Sequence, residues 1–143
     1  MFLEKSELNT VATDEIINRI INGDDSIVEE IIFESIDVVK SYLYQYFDTE
    51  TIFSKIGAER NLTVLKHLKG IVIFEIYIRR TKMMNEVAKF RYNESIVWLE
   101  KVATGKIKPD LPIVEIDTNG DGTLDAPLPI MKLGSRTKYQ NKL

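Results

Sequence analysis

Apolar residues recur at helical spacing through the first hundred positions. From Asp24 to Phe47, in DDSIVEEIIFESIDVVKSYLYQYF, they fall at 28, 31, 32, 36, 39, 42, 43 and 46, behind an Asp-Asp-Ser start and early acids. That pattern predicts one long helix, about 36 Å at 1.5 Å per residue. Upstream, Thr10 or Thr13 is placed to cap a shorter helix whose Val11, Ile16, Ile17, Ile20 and Ile21 turn inward, and Asn22-Gly23 supplies its stop. A turn-rich piece follows Asp48, with Gly57 as a candidate C-cap, before Asn61 caps a third helix over 62–80. Within it, IVIFEIYI (71–78) also suits a buried strand, and Gly70 interrupts the pattern just before it. Leu62, Leu65, Leu68 and Val72 lead into the run at spacings of three and four, which favours helix, with strand as the alternative. A last helix near 85–104 carries the stripe Ala88, Tyr92, Ile96, Leu99 and Ala103 and stops at Gly105.

The pattern changes at Lys106. The final 38 residues hold all 4 prolines and no helical stripe. The expected fold is therefore all-α: a small bundle of about four helices over 1–105, and an extended C-terminal arm over 106–143 with room for a short β-hairpin. An arm of this kind buries little by itself and orders against a partner.

Composition supports one soluble core, since 143 residues with 44% hydrophobic and 29% charged side chains suit a single globular domain. The absence of cysteine excludes a disulfide scaffold, a thiol nucleophile and a thiolate zinc site. Neither a signal peptide nor a run of ~18 apolar residues is present, so secretion by that route and membrane insertion are not expected. Net charge is −3, but it comes in blocks. Residues 1–50 hold 12 acids and 3 bases, residues 51–108 hold 12 bases and 5 acids, 109–125 only 5 acids, and 126–143 only 4 bases. Blocks of opposite sign favour head-to-tail self-association if folding keeps them apart, and cancel if it mixes them.

Candidate chemistry is sparse. Asp117, Asn119, Asp121 and Asp125, with Gly122 at the sixth position, match the opening of an EF-hand calcium loop. The match fails at the twelfth position, Leu128, and Pro127 and Pro129 oppose the helix that should follow. A hairpin turn at Asn119-Gly120 is the structural alternative, so no metal ligand and no cofactor is assigned. His67, the sole histidine, stands among leucines with no acid or serine at helical spacing, and reads as structural or exposed. With no nucleophile and base pair, no GxxxxGK[ST] and no GxGxxG, no catalytic residue is assigned and enzyme activity is not expected. Arg79, Arg80, Lys82, Lys89 and Arg91 cluster near the last helix junction without a recognition-helix pattern, which favours a protein partner or solvent over sequence-specific nucleic acid. Glu29, Glu30, Glu34 and Asp37 fall mainly opposite the apolar stripe of the long helix. The last tract holds Lys132, Arg136, Lys138, Tyr139, Asn141 and Lys142 without an acid, suited to docking on an acidic protein surface. Arg136, Lys138, Tyr139, Asn141 and Lys142 are the candidate partner-binding residues.

Several groups of residues together resemble a family. Phe2-Leu3 with Glu7-Leu8, Ser41-Tyr42-Leu43 with Tyr46 and Asp48, Arg91-Tyr92-Asn93 with Ile96 and Trp98-Leu99, Gly105-Lys106, and Pro109-Asp110-Leu111-Pro112 resemble a family of Mu-like prophage proteins. That family is similar to the head-to-tail connector, or adaptor, proteins of tailed bacteriophages. The resemblance covers roughly 2–112; Gly134-Ser135-Arg136 and Asn141 look like the end of arm-bearing relatives, while IVIFEIYI, TKMMNE and the 117–125 loop depart from the pattern. It implies a structural head-completion protein, assembled in the bacterial host cytoplasm into a virion. There it would form a homo-oligomeric ring, a dodecamer by resemblance, between the portal protein and the tail or a second connector. The runner-up is a calcium-binding or calcium-stabilised helical module using the loop from Asp117 to Asp125.

Overall fold

The computed structural model describes residues 1–115 and 120. Five α-helices follow one another: α1 (Asp14–Ile21), α2 (Asp25–Leu43), α3 (Thr49–Ser54), α4 (Leu62–Ile78) and α5 (Glu86–Ala103). A 3₁₀ turn at Lys5–Thr10 precedes α1, and short 3₁₀ turns at Gly57–Glu59 and Thr81–Met83 lie between α3 and α4 and between α4 and α5. Helices α2, α4 and α5 pack on one another, and α1 lies against α2 and α4. The all-α expectation holds, with the helices expected over 62–80 and 85–104 present as α4 and α5, and the turn-rich piece after Asp48 contains α3.

Local chemistry sets most of the helix ends. Asp24, Asp48, Asn61 and Asn85 each accept a backbone N–H of the helix they precede, which satisfies donors that the first turn leaves free. Thr13 does occupy the N-cap of α1 but makes no side-chain cap bond. Asn9 replaces it: its Oδ1 accepts from Asp14 N at 3.1 Å while its Nδ2 donates to Asp14 Oδ2 at 2.9 Å. At the other end Asn22 turns left-handed, with φ 57, as the Asn-Gly stop predicts. Helix α5 closes with the double bond of a Schellman motif, Gly105 N donating to Val102 O and Lys106 N to Lys101 O, with Gly105 at φ 72. Gly57 does not cap α3, which ends at Lys55 in extended backbone; it opens the next 3₁₀ turn at φ 58.

Helix α2 stops at Leu43, short of the predicted Phe47. The cause is distant in sequence: Phe47, 2% exposed, forms an antiparallel bridge with Ile113. Asp48 N donates to Pro112 O at 2.9 Å and Val114 N to Tyr46 O at 3.1 Å. Leu111 is buried, Ile107 and Ile113 pack on the core, and Asn61 Nδ2 donates to Asp110 O at 3.2 Å. Residues 107–114 thus run as a strap over the helical body instead of leaving it at Lys106. The rest of the expected arm, with its hairpin, lies outside the described residues.

The run 71–78 is helix. Ile71, Val72, Ile73, Ile76 and Tyr77 are all buried, so α4 is apolar nearly all round, as a helix surrounded by its neighbours must be. Packing on several sides outweighs the modest β-preference of Ile and Val. Gly70 serves this packing, because a Cβ there would meet Ser95 Oγ at 2.7 Å and Arg91 O at 3.2 Å. Glycine is what lets α4 and α5 approach so closely. Among the described residues, no helix is long and apolar enough to cross a membrane.

Candidate functional site

Just before Gly70 in the chain, the α4–α5 contact opens outward into a groove of about 570 Å³. It is lined by the apolar side chains Phe90, Val97, Trp98 and Ile107 and by the polar ones Thr63, Lys66, Asn93, Glu94 and Lys101. His67 forms part of the wall. Its ring stacks on Trp98 with centroids 4.5 Å apart and planes 15° from parallel. Its Nδ1 lies 3.2 Å from Ser95 Oγ, which donates its own hydrogen to Arg91 O at 2.8 Å. With that hydrogen committed, Nδ1 carries the imidazole proton and donates to Ser95. Burial holds the His67 pKa below 6.5 and Lys66 adds to the effect, while Glu94 opposes it. The ring is therefore neutral at physiological pH and acts as a flat, stacked wall. The sequence reading of a structural His67 agrees with this, and the serine missing from its own helix is supplied by α5.

The groove's chemistry is that of a docking surface: apolar and charged side chains line it together, and large apolar ones are left in water. Phe90 is 69% exposed and Val97 46%. Lys66 pairs with Glu94 at 3.1 Å across the groove. Beside the lining Ile107, Lys106 and Lys108 are exposed.

A second surface lies on α2. The buried residues of this helix, Val28, Ile31, Ile32, Ile36, Val39 and Leu43, face the body. Its other side exposes Glu29, Glu30, Glu34 and Asp37, together with Phe33 at 56% and, just past its end, Tyr44 at 69%. The expected solvated acidic face is present, and it carries two aromatic side chains that the charge count alone overlooks. On α5, Phe90 and Val97 likewise fall off the Ala88–Tyr92–Leu99 stripe. An apolar residue out of phase with the core stripe is the sequence signal that marks both surfaces.

The basic cluster does not form one patch. Arg80 donates to Asn22 Oδ1 at 2.5 Å, Lys89 pairs with Glu86 at 2.8 Å, and Arg91 is half-buried beside Thr10, Lys66 and Lys69. Lys89 and Arg91 fall on different sides of α5, two residues and about 200° apart. No continuous stripe for a phosphate backbone results from these five residues.

Among the described residues, no group of three or more His, Asp or Glu is placed to hold a metal ion. The calcium candidates Asp117, Asn119, Asp121 and Asp125 lie outside the described residues, as do the partner-binding candidates Arg136, Lys138, Tyr139, Asn141 and Lys142. Gly120 is described, with a left-handed φ of 73. Compared with known proteins, the chain matches no family model, no curated protein and no solved structure.

Proposed function

We propose that this chain is a structural connector subunit, an adaptor that joins a ring between the portal and the tail of a tailed-phage virion. The observation that carries the reading is the pair of aromatic-bearing outer faces, Phe33 on α2 with Tyr44 just past its end, and Phe90 with Val97 on α5. A subunit with a neighbour on each side needs two such faces, and aromatic side chains are the usual anchors of protein interfaces. The strap adds support: it fastens residues 107–114 to the α2–α3 junction.

In this reading Arg136, Lys138, Tyr139, Asn141 and Lys142 contact the portal. The test is native mass of the purified protein with the portal protein encoded in the same genome, for the full chain and for a chain lacking residues 130–143. We expect a discrete complex with the full chain, weaker attachment by the truncated chain, and the same helical content in both. Two unassociated species with the full chain would sink the connector reading, and undiminished attachment by the truncated chain would remove the arm from it.

A further inference from the structure

We infer that the α4–α5 groove of one copy receives the outer face of α2 of a second copy of this chain. The inference deepens the connector reading and rests on it for the premise that copies meet at all; the choice of faces comes from the chemistry of the two surfaces.

Three features match. Charge is the first: Glu30, Glu34 and Asp37 on α2 are exposed and acidic, whereas Lys101 in the groove lining and Lys106 and Lys108, which flank the lining Ile107 in sequence, are exposed and basic. None of these six side chains has an ion pair among the described residues, so each is free to meet a partner, and the lining acid Glu94 is paired with Lys66. Complementary potentials of this kind steer encounter and fix register. Second, apolar anchors meet an apolar lining. Phe33 on α2 and Tyr44 at its C-cap are large side chains left in water, and the groove offers Phe90, Val97 and Trp98 in a volume of about 570 Å³. Third, the lengths agree. At about 1.5 Å per residue, Phe33 and Tyr44 stand about 16 Å apart along the axis, the same span that separates Phe90 from Lys101 on α5.

The two surfaces also cannot satisfy each other within one copy. Helix α2 packs on α4 and α5 through its buried stripe, which leaves its acidic face pointing away from both. The contact thus joins unlike faces of two copies, as the heterologous interface of the ring in the connector reading requires.

Charge reversal tests this directly. One variant carries Glu30→Lys, Glu34→Lys and Asp37→Lys; the other carries Lys101→Glu, Lys106→Glu and Lys108→Glu. Sedimentation and native mass are measured over a concentration series for the wild type, each variant and their equimolar mixture, with far-ultraviolet circular dichroism as the folding control. The wild type is expected to self-associate, and each variant alone to lose at least about a hundredfold in association constant, because like charges then face each other. The mixture is expected to recover association, since every interface between the two variants again joins opposite signs. A wild type that stays monomeric throughout, variants that associate as the wild type does, or folded variants whose mixture fails to recover would each overturn the inference. So would loss of association on deleting residues 130–143 with the groove variant silent, which would assign the acidic face to the basic tract. Recovery in the mixture together with no portal complex would sink the connector reading alone, whereas a portal complex with silent charge reversals would sink this interface alone.

Discussion

Helices α2 and α4 have nearly the same length, 19 and 17 residues, and both are rich in Ile and Val, yet they are used in opposite ways. Helix α4 is surrounded, with Val64, Leu65, Leu68, Ile71, Val72, Ile73, Ile76 and Tyr77 all buried, and its Lys66, His67 and Lys69 bond to Glu94, Ser95 and Thr10. Helix α2 buries one stripe and turns Glu30, Phe33, Glu34 and Asp37 to solvent. The difference teaches how to separate scaffold from surface in this chain. Hydrophobicity all round marks the helix that holds the others, whereas an aromatic residue set among acids, out of phase with the core stripe, marks a face left over for another molecule.

The most forceful way to break that comparison is to shorten one side chain on each helix. Leu68 is fully buried in α4, so Leu68→Ala is expected to cost about 3 kcal/mol through lost burial and the cavity left behind. Phe33 is 56% exposed, so Phe33→Ala is expected to change stability by no more than about 0.5 kcal/mol. Urea denaturation of the two variants decides it. Similar losses at both positions would mean that α2 is as much scaffold as α4 and that its aromatic residues are not spare.

A smaller effect sharpens the comparison at the entrance to α4. Arg60, just before the Asn61 cap, donates to Glu7 Oε1 at 2.6 Å and Oε2 at 2.8 Å, and to the Phe2 carbonyl at 2.6 Å. This closes the N-terminal segment over the start of the central helix. The Arg60 hydrogen bonds, aided by the Glu4 N–H, hold the Glu7 pKa at about 2, well below the ordinary 4.5, against the opposing effect of burial. A carboxylate with a depressed pKa stabilises the fold fully above its unfolded value and loses that contribution as pH falls through the folded one. Stability from this pair is therefore present above about pH 4.5 and drains away between there and about pH 2. Glu7→Gln is expected to cost about 2 kcal/mol at neutral pH and to flatten the acid limb of the stability curve. An acid limb identical to that of the wild type would show that the pair does not bear on folding.

What could be read from the chain and what could not divide by distance along it. Asn22-Gly23, Asn61 and Gly105 act on their own neighbours, and each marks a boundary where the sequence predicts one. The end of α2 was not legible, because it depends on Phe47 pairing with Ile113 far downstream. Gly70 has the local signature of a helix breaker, and only the approach of Ser95 and Arg91 from another helix explains why it sits inside one. The same holds for the candidate site. The acids of α2 were visible by periodicity, but the groove exists only once α4 and α5 are laid side by side. The charge blocks left open whether opposite signs stay apart; which charged side chains are exposed on α2 and beside Ile107 followed from the packing.

The finest test concerns His67, the polar residue that α4 turns toward α5. Its pKa lies below 6.5 because burial, and next Lys66, disfavour the imidazolium, and Glu94 only partly offsets them. The unfolded chain therefore binds a proton between 6.5 and the folded pKa that the folded chain does not. The sign follows: stability from this residue is complete above 6.5, falls as pH drops through the window, and levels off below the folded pKa. Replacing the ring by His67→Phe keeps an aromatic face against Trp98 but removes the titration and the Ser95 contact. Denaturation midpoints followed from neutral to mildly acidic pH are expected to slope for the wild type and to run flatter for the variant. If both fall in parallel, the imidazole is solvated enough to charge without penalty, and α4 would lose its claim to be sealed at the groove. If only the wild type falls, protonation acts on the wall of the groove itself, and acid should weaken the contact between copies along with the fold.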